Sequence, residues 1–177
     1  EKGYNDSKIT VTNKSSDECK APSEVVYFFN KIYGNDKEAF VRIISAPDGY
    51  VAIGYYLGYD VNALIVKFDL NGNIVWKKTF GGTQKESYTD IVLANDGFVA
   101  IGISTSKDGD LSGMRKGKAN GDDIDGLIVK YDFNGNVVWK NTVGGTDMDV
   151  LLSSAKSNDG FVILGFSFSN DGDLASF

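Results

Sequence analysis

The chain has 177 residues, of which 42% are apolar, and it carries a formal net charge of −6. This charge argues against a nucleic-acid partner, because phosphates attract clustered lysine and arginine, and no apolar run reaches the roughly 18 residues of a transmembrane helix. Histidine is absent, which excludes the commonest general base and metal ligand. Cys19 is the only cysteine, so no disulfide can form within the chain.

The remaining composition favours strands. With 21 glycines, 2 prolines and 12% aromatic residues, the chain is predicted to be all-β, with strands joined by tight turns. Residues 1–23 are polar and contain no repeat, so we expect a linker there. Residues 24–34 are similar to the last strand of the repeats that follow, and we expect one isolated strand in this segment.

Two sequence elements recur along the chain. An Asp-Gly-aromatic-Val element begins at Asp48, returns 48 residues later at Asp96 and 63 residues further on at Asp159. A longer element, with Asn-Gly-Asn and Val-Trp-Lys, spans 64–77 and returns at 127–140, and both copies continue into Gly-Gly-Thr. Repeats of this length are typical of propeller blades and solenoid units.

Each complete repeat is predicted to form four strands, A to D in chain order. In the second repeat they lie near 88–94, 98–104, 126–132 and 137–143. The Asn-Gly pair between strands C and D predicts a two-residue type I′ hairpin turn. The strands are apolar at nearly every residue, which suits a sheet covered on both faces.

These features predict a β-propeller fragment of four-stranded blades in the order D + ABCD + ABCD + AB. The complete blades are 36–82 and 84–145, and the partial blades are 24–34 and 147–177. We expect about six to eight blades in the intact ring, with the first D strand completing the last blade. Either a longer chain or several copies of this one would supply the missing blades.

The repeat also resembles a known family. Its residues Lys-Phe/Tyr-Asp-x-Asn-Gly-Asn-x-Val-Trp-Lys, Gly-Gly-Thr and Asp-Gly-Phe-Val-x-x-Gly-x-Ser look like the β-propeller repeats of bacterial secreted, cell-surface and lipoprotein-type proteins. The resemblance covers residues 24–177 and is specific for the fold. It implies an exported protein at the cell surface or outside the cell, with or without a lipid anchor.

Two acidic loops are candidates for a structural calcium site, since paired carboxylates beside a glycine suit calcium together with backbone carbonyls. A plain structural turn is the alternative for these loops, and no other cofactor is expected. The candidate ligands are Asp108, Asp110, Asp171 and Asp173. The turns at Asp69 and Asp132 fail the EF-hand pattern, which needs glutamate at its twelfth position, and are predicted to be hairpin turns capped by aspartate.

The second repeat is longer than the first by 15 residues, all between strands B and C. An enlarged loop at the end of a propeller is a common place for a ligand. The candidate ligand-binding residues in it are Arg115, Lys116, Lys118, Asp122, Asp123 and Asp125. The alternative is a solvated loop whose basic and acidic halves attract each other.

One aromatic position recurs in the D strands, as Phe28, Trp76 and Trp139. A row of aromatic side chains can serve as a platform for sugar rings. Because the position is aromatic in every repeat, we instead predict that these side chains pack between neighbouring blades.

The function predicted from these features is a non-catalytic binding or scaffold module for a protein or glycan partner at the bacterial cell surface. The alternative from another class is part of an enzyme acting on polysaccharide, a lyase or a glycosidase, which needs a convergent carboxylate pair or a Tyr/Arg set. No catalytic residue is assigned, because no carboxylate outside the long loop is expected to be unique to one blade. A structural spacer, with featureless loops, is the third possibility.

Overall fold

The computed structural model describes residues 37–114 and 123–175 of the protein. The regular structure of this part is ten β-strands and two short 3-10 helices, with no α-helix. The strands are β1 (Glu38–Ala46), β2 (Gly49–Leu57), β3 (Val61–Asp69), β4 (Ile74–Phe80), β5 (Glu86–Ala94), β6 (Gly97–Ser104), β7 (Asp125–Tyr131), β8 (Val137–Val143), β9 (Asp149–Lys156) and β10 (Phe161–Ser167). The 3-10 helices are Gly109–Leu111 and Gly172–Leu174.

The strands form three antiparallel sheets in chain order. The first sheet is β1-β2-β3-β4, the second is β5-β6-β7-β8, and the third is the pair β9-β10. The predicted all-β class, the four-stranded antiparallel repeat and the strand positions in the second repeat are therefore confirmed. The expected linker at 1–23 and isolated strand at 24–34 lie outside the described residues, and a closed ring is not shown.

The hydrophobic core lies between the first and second sheets. It joins side chains of β2 and β3 to side chains of β5, β6 and β7, including Val51, Ile53, Ile65, Ile91, Phe98, Val129 and Tyr131. Within β3, four consecutive residues, 63–66, are fully buried. A strand covered on both faces needs apolar residues at odd and even positions alike, so the unbroken apolar runs in the sequence are explained.

The turns between strands C and D differ from the prediction. Asp69 N donates to Asn73 O at 2.9 Å, and Gly72 N donates to Asp69 O at 3.1 Å. Three residues, 70–72, thus lie between the paired ends, Gly72 has a φ of 78°, and the β3–β4 register shifts beside the turn. The predicted two-residue type I′ turn is wrong, and the turn is the three-residue kind, with a left-handed glycine and a bulge. The predicted capping is confirmed, because Asp69 Oδ1 accepts hydrogen bonds from the amides of Asn71 and Asn73.

A buried lysine ties strand C to the A–B turn in both complete sheets. Lys67 Nζ lies 2.7 Å from Asp48 Oδ1, and Lys130 Nζ lies 2.5 Å from Asp96 Oδ1. The hydrogen bond from each lysine lowers the pKa of its aspartate below the ordinary value. Each lysine stem is buried while its ammonium reaches an exposed carboxylate, which is how lysine is accommodated inside a sheet stack.

The A strands of the three sheets are neighbours. Strand β5 contacts β1 on one side and β9 on the other. Each A strand also has a bulge at the same repeat position, marked by register shifts between Phe40 and Arg42, between Tyr88 and Asp90, and opposite Leu164 and Gly165. A bulge bends its strand and redirects the neighbouring side chains. The residues that follow the three bulges are Arg42, Asp90 and Ser153.

Candidate functional site

The first acidic loop binds the turn that follows β4. Thr83 donates twice to Asp108, from N to Oδ1 at 2.8 Å and from Oγ1 to Oδ2 at 2.7 Å. Gly81 N donates to Asp110 Oδ2 at 3.1 Å, and Asp110 N donates to Gly81 O at 2.9 Å. The bonds from Thr83 lower the pKa of Asp108, because they favour the ionised carboxylate. We call residues 81–83 with 108–110 the first clip.

The second acidic loop repeats this arrangement. Thr146 N donates to Asp171 Oδ1 at 2.7 Å, and Gly144 N lies 3.4 Å from Asp173 Oδ2. Asp173 N donates to Gly144 O at 3.0 Å. We call residues 144–146 with 171–173 the second clip. Each clip fastens the connection that leaves one sheet to the B–C connection of the next, so these four aspartates have a structural use.

Calcium binding at the clips stays a prediction. In the part of the chain that the structure describes, no three Asp, Glu, Cys or His side chains are gathered closely enough to hold a metal ion. The carboxylates of Asp108 and Asp171 accept hydrogen bonds from backbone amides, as the structural-turn alternative requires.

A buried acid beside each clip differs between the two copies. Glu86, beside the first clip, accepts three hydrogen bonds: Ser104 Oγ and Ser106 N donate to Oε1, and Gly82 N donates to Oε2. Asp149, its equivalent beside the second clip, accepts from Gly145 N and Ser169 Oγ through Oδ2 only. Among the described residues, its buried Oδ1 has no hydrogen-bond partner. Because aspartate is shorter by one methylene, the second copy leaves one carboxylate oxygen unused.

The long loop is described only at its C-terminal end. The predicted ligand-binding residues Arg115, Lys116, Lys118 and Asp122 lie outside the described residues. Asp123 is half-buried. Asp125, which the sequence placed in the loop, is the first residue of β7 and is 2% exposed. A methyl group at Gly144 would lie 2.5 Å from Asp125 Oδ1 and 2.6 Å from Asp149 Oδ2, so Asp125 belongs to the interior beside the second clip.

The recurring aromatic position packs between sheets, as predicted. Trp76 Nε1 donates to Phe133 O of the next sheet at 3.1 Å, and the Trp76 ring lies against Gly135. Its ring centroid is 6.5 Å from that of Phe98. Trp139 stacks on Phe161 of the third sheet, with centroids 6.2 Å apart. Packing between sheets is confirmed for both tryptophans, while Phe28 lies outside the described residues.

Two buried tyrosines form a pair in the second sheet. The hydroxyls of Tyr88 and Tyr131 are 2.6 Å apart, and both rings are buried. Burial raises the pKa of both phenols, since a phenolate would lose its hydration. This pair is therefore part of the core, and its two hydroxyls are paired with each other.

A polar network crosses the three A strands at the bulges. It was not predicted from the sequence. Asp90 of β5 is buried, and its Oδ1 lies 2.9 Å from Arg42 Nε of β1. Its Oδ2 accepts from Ser154 N at 2.6 Å and from Ser153 Oγ at 3.1 Å, both on β9. One buried carboxylate thus connects three consecutive sheets.

A signal for this network was present in the sequence. Arg42, Asp90 and Ser153 occupy the same repeat position, being 48 and then 63 residues apart. At this position the three repeats carry a cation, an anion and a hydroxyl. The neighbouring strand positions carry residues of more similar type in the three repeats. The expectation that no carboxylate outside the long loop is unique to one blade is wrong, because Asp90 is one.

Comparison with known proteins leaves the family open. No protein-family model matches the chain, and a search of curated proteins returns no match. The resemblance to bacterial surface propellers thus stays a prediction that rests on the repeat residues. No helix in the described residues has the length and apolar character needed to span a membrane.

Proposed function

We propose that the chain is part of a β-propeller that acts outside the bacterial cell as a non-catalytic binding or scaffold module for a protein or glycan partner. This proposal rests on the contacts that the repeated residues make with neighbouring strands and sheets. The clip aspartates, Trp76 and the buried Lys67 all join strands or sheets to one another. Residues committed to packing in this way are the parts of a scaffold.

The partner-binding role is supported by the long loop between β6 and β7, which the first repeat lacks. The 15 additional residues between β6 and β7 are absent from the first repeat, so a four-stranded sheet forms without them. They include Asp108 and Asp110, because only residues 58–60 separate β2 from β3, and the first clip holds the start of the loop through Asp110. A variable loop that begins at a fixed point on a rigid sheet is the usual arrangement of a binding loop.

The test compares the protein with a variant in which a Gly-Ser sequence of equal length replaces residues 115–122. Both proteins are applied to an array of bacterial and host glycans, with the first clip intact in each. A loss of at least about tenfold in binding, or about 1.4 kcal/mol, is expected for the variant. Unchanged binding would remove the loop from the proposal.

The enzyme alternative is tested with the same protein. A polysaccharide lyase or glycosidase releases new chain ends from its substrate, which a reducing-end assay detects. Asp90, the carboxylate unique to one repeat, is buried and accepts hydrogen bonds on both oxygens, which does not suit a general acid. We therefore expect no release, and release that saturates with substrate would favour the enzyme.

The calcium proposal is tested at the second clip. If calcium binds there, it would meet the unused Asp149 Oδ1, and the thermal midpoint would rise with excess calcium and fall with chelator. Asp149→Glu, which copies Glu86 of the first copy, should abolish the difference. Equal midpoints in calcium and in chelator for the unaltered protein would refute the site.

A further inference from the structure

We propose that the buried carboxylate of Asp90 fixes the order in which the repeats stack. It selects the first repeat as its neighbour on one side, through Arg42, and the third repeat on the other side, through Ser153 and Ser154. The competing arrangement that it disfavours is stacking on the wrong repeat of a second copy of this chain. This role is independent of any ligand.

The repeats are similar enough to exchange neighbours. Residues 48–54 and 96–102 differ at a single position, and residues 64–77 and 127–140 differ at three. Stacking of wrong repeats and exchange of repeats between chains are characteristic failures of repeat proteins. A chain of this kind therefore benefits from residues that make one repeat recognisably different from another.

The repeats differ at the position that follows the bulge. The first repeat carries Arg42 there, the second carries Asp90 and the third carries Ser153. The next position separates the third repeat from the others, since Ser154 corresponds to an isoleucine in the first and second repeats. Charge and hydroxyl groups at these two positions thus identify each repeat.

The contacts of Asp90 use these differences. Its Oδ1 lies 2.9 Å from Arg42 Nε. Its Oδ2 accepts from Ser154 N at 2.6 Å and from the hydroxyls of Ser153 and Ser154 at 3.1 Å and 3.2 Å. A buried charge needs a counter-charge and hydrogen bonds to its remaining lone pairs. The cation comes from the first repeat, and the two hydroxyls come from the third.

A wrong neighbour would leave this charge uncompensated. If the second repeat of another copy took the place of the first, two Asp90 carboxylates would meet, and Asp90 is only 2% exposed. Like charges repel most strongly where burial removes the screening by water. If the third repeat took that place, Ser153 would offer a hydroxyl instead of a cation. Of the three repeats, the first alone brings a cation to this side of Asp90.

Refolding at high protein concentration tests this role on the full chain. Asp90→Asn keeps the shape of the side chain and removes its charge, so the repulsion in the wrong stack disappears together with the attraction to Arg42. Ile101→Val, in the buried core of the same sheet, is the matched control. A low urea concentration brings the two variants to the same free energy of unfolding. Analytical ultracentrifugation then measures the fraction of folded oligomers that persist after dilution.

We expect Asp90→Asn to form at least about threefold more persistent oligomer than Ile101→Val, because a buried polar group can contribute specificity in addition to stability. Arg42→Gln removes the attraction but keeps the repulsion between two Asp90 carboxylates. Its oligomer fraction, measured at the same free energy of unfolding, should therefore lie between those of the other two variants.

Equal oligomer fractions in Asp90→Asn and Ile101→Val would overturn the proposal, since Asp90 would then contribute stability alone. If Asp90→Asn does not fold, Arg42→Gln is compared with Ile101→Val in its place. An oligomer fraction in Arg42→Gln no larger than that of Ile101→Val would then overturn the proposal in the same way.

Discussion

Aspartate is used in this protein mainly as an acceptor for nearby backbone amides. Asp69 and Asp132 cap the C–D turns, and Asp108 holds the amide of Thr83 across the first clip. Hydrogen bonds from Asn136 lower the pKa of Asp132 in the same way as those from Thr83 lower the pKa of Asp108. The acidic composition of the chain thus reflects turn chemistry as well as surface charge.

These pKa shifts predict acid sensitivity. A carboxyl whose pKa is lower in the folded state stabilises the fold above its unfolded pKa, and that stability is lost as the pH falls through the folded pKa. Stability should therefore decline as the pH falls below about 4, near the unfolded pKa of aspartate. Asp108→Asn should decline less steeply than the unaltered protein in urea unfolding at several pH values.

Thr83→Val refines the same measurement. It removes the hydroxyl donor to Asp108 and keeps the amide donor, so its slope should lie between those of the unaltered protein and Asp108→Asn. Three identical slopes would show that the first clip makes no contribution to acid sensitivity.

At the scale of elements, packing between neighbouring sheets depends on large side chains of strand D that reach the next sheet. Trp76 of β4 contacts Phe98 of β6 and the turn at Phe133. Trp139 of β8 meets the third sheet, where its stacking partner is Phe161, but it remains 40% exposed. The same residue type at the same repeat position is thus buried to different extents, because Trp76 packs on a four-stranded sheet and Trp139 packs on a two-stranded one.

This difference predicts unequal costs of truncation. Trp76→Ala should lower the free energy of unfolding by about 3 kcal/mol, the lower end of the cost for a core tryptophan. Trp139→Ala, the matched control from the same repeat position, should cost clearly less because its ring has less contact to lose. Chemical denaturation of both variants measures this, and equal losses would contradict the packing described here.

At the scale of the whole molecule, the third sheet exposes residues that the other sheets bury. Val162 and Leu164 are 63% and 67% exposed, whereas the equivalent Val99 and Ile101 are 1% and 0% exposed. The contacts that stabilise each sheet come from its neighbours, as in other repeat architectures. The second sheet has a described neighbour on both faces.

Local stability should follow this order. Amide hydrogen exchange is expected to be slowest in β5–β7 and fastest in β9–β10, because a two-stranded sheet has little stability of its own. Mass spectrometry of peptides from each sheet measures the exchange. Equal protection in the second and third sheets would mean that another surface covers Val162 and Leu164.

Much of the fold could be predicted from the sequence, but the site could not. The strands of the second repeat follow from unbroken apolar runs and Asp-Gly turns, because these preferences are local. The partners of Asp108 and Asp90 are distant in sequence: Thr83 is 25 residues away from the first, and Ser154 is 64 residues away from the second. Spacing shows that such residues recur, but not which atoms they meet.

The sequence by itself determined the all-β class, the 48- and 63-residue spacing and the residues that each repeat shares, because side-chain periodicity and turn preference are properties of neighbouring residues. Only the tertiary structure decided that the Asp-Gly-Asp loops fasten one sheet to the next, that Asp125 is buried in β7, and that Arg42 meets Asp90. The physical reason is that hydrogen bonding and burial depend on what the next sheet brings within about 3 Å, and that is set by how the sheets stack.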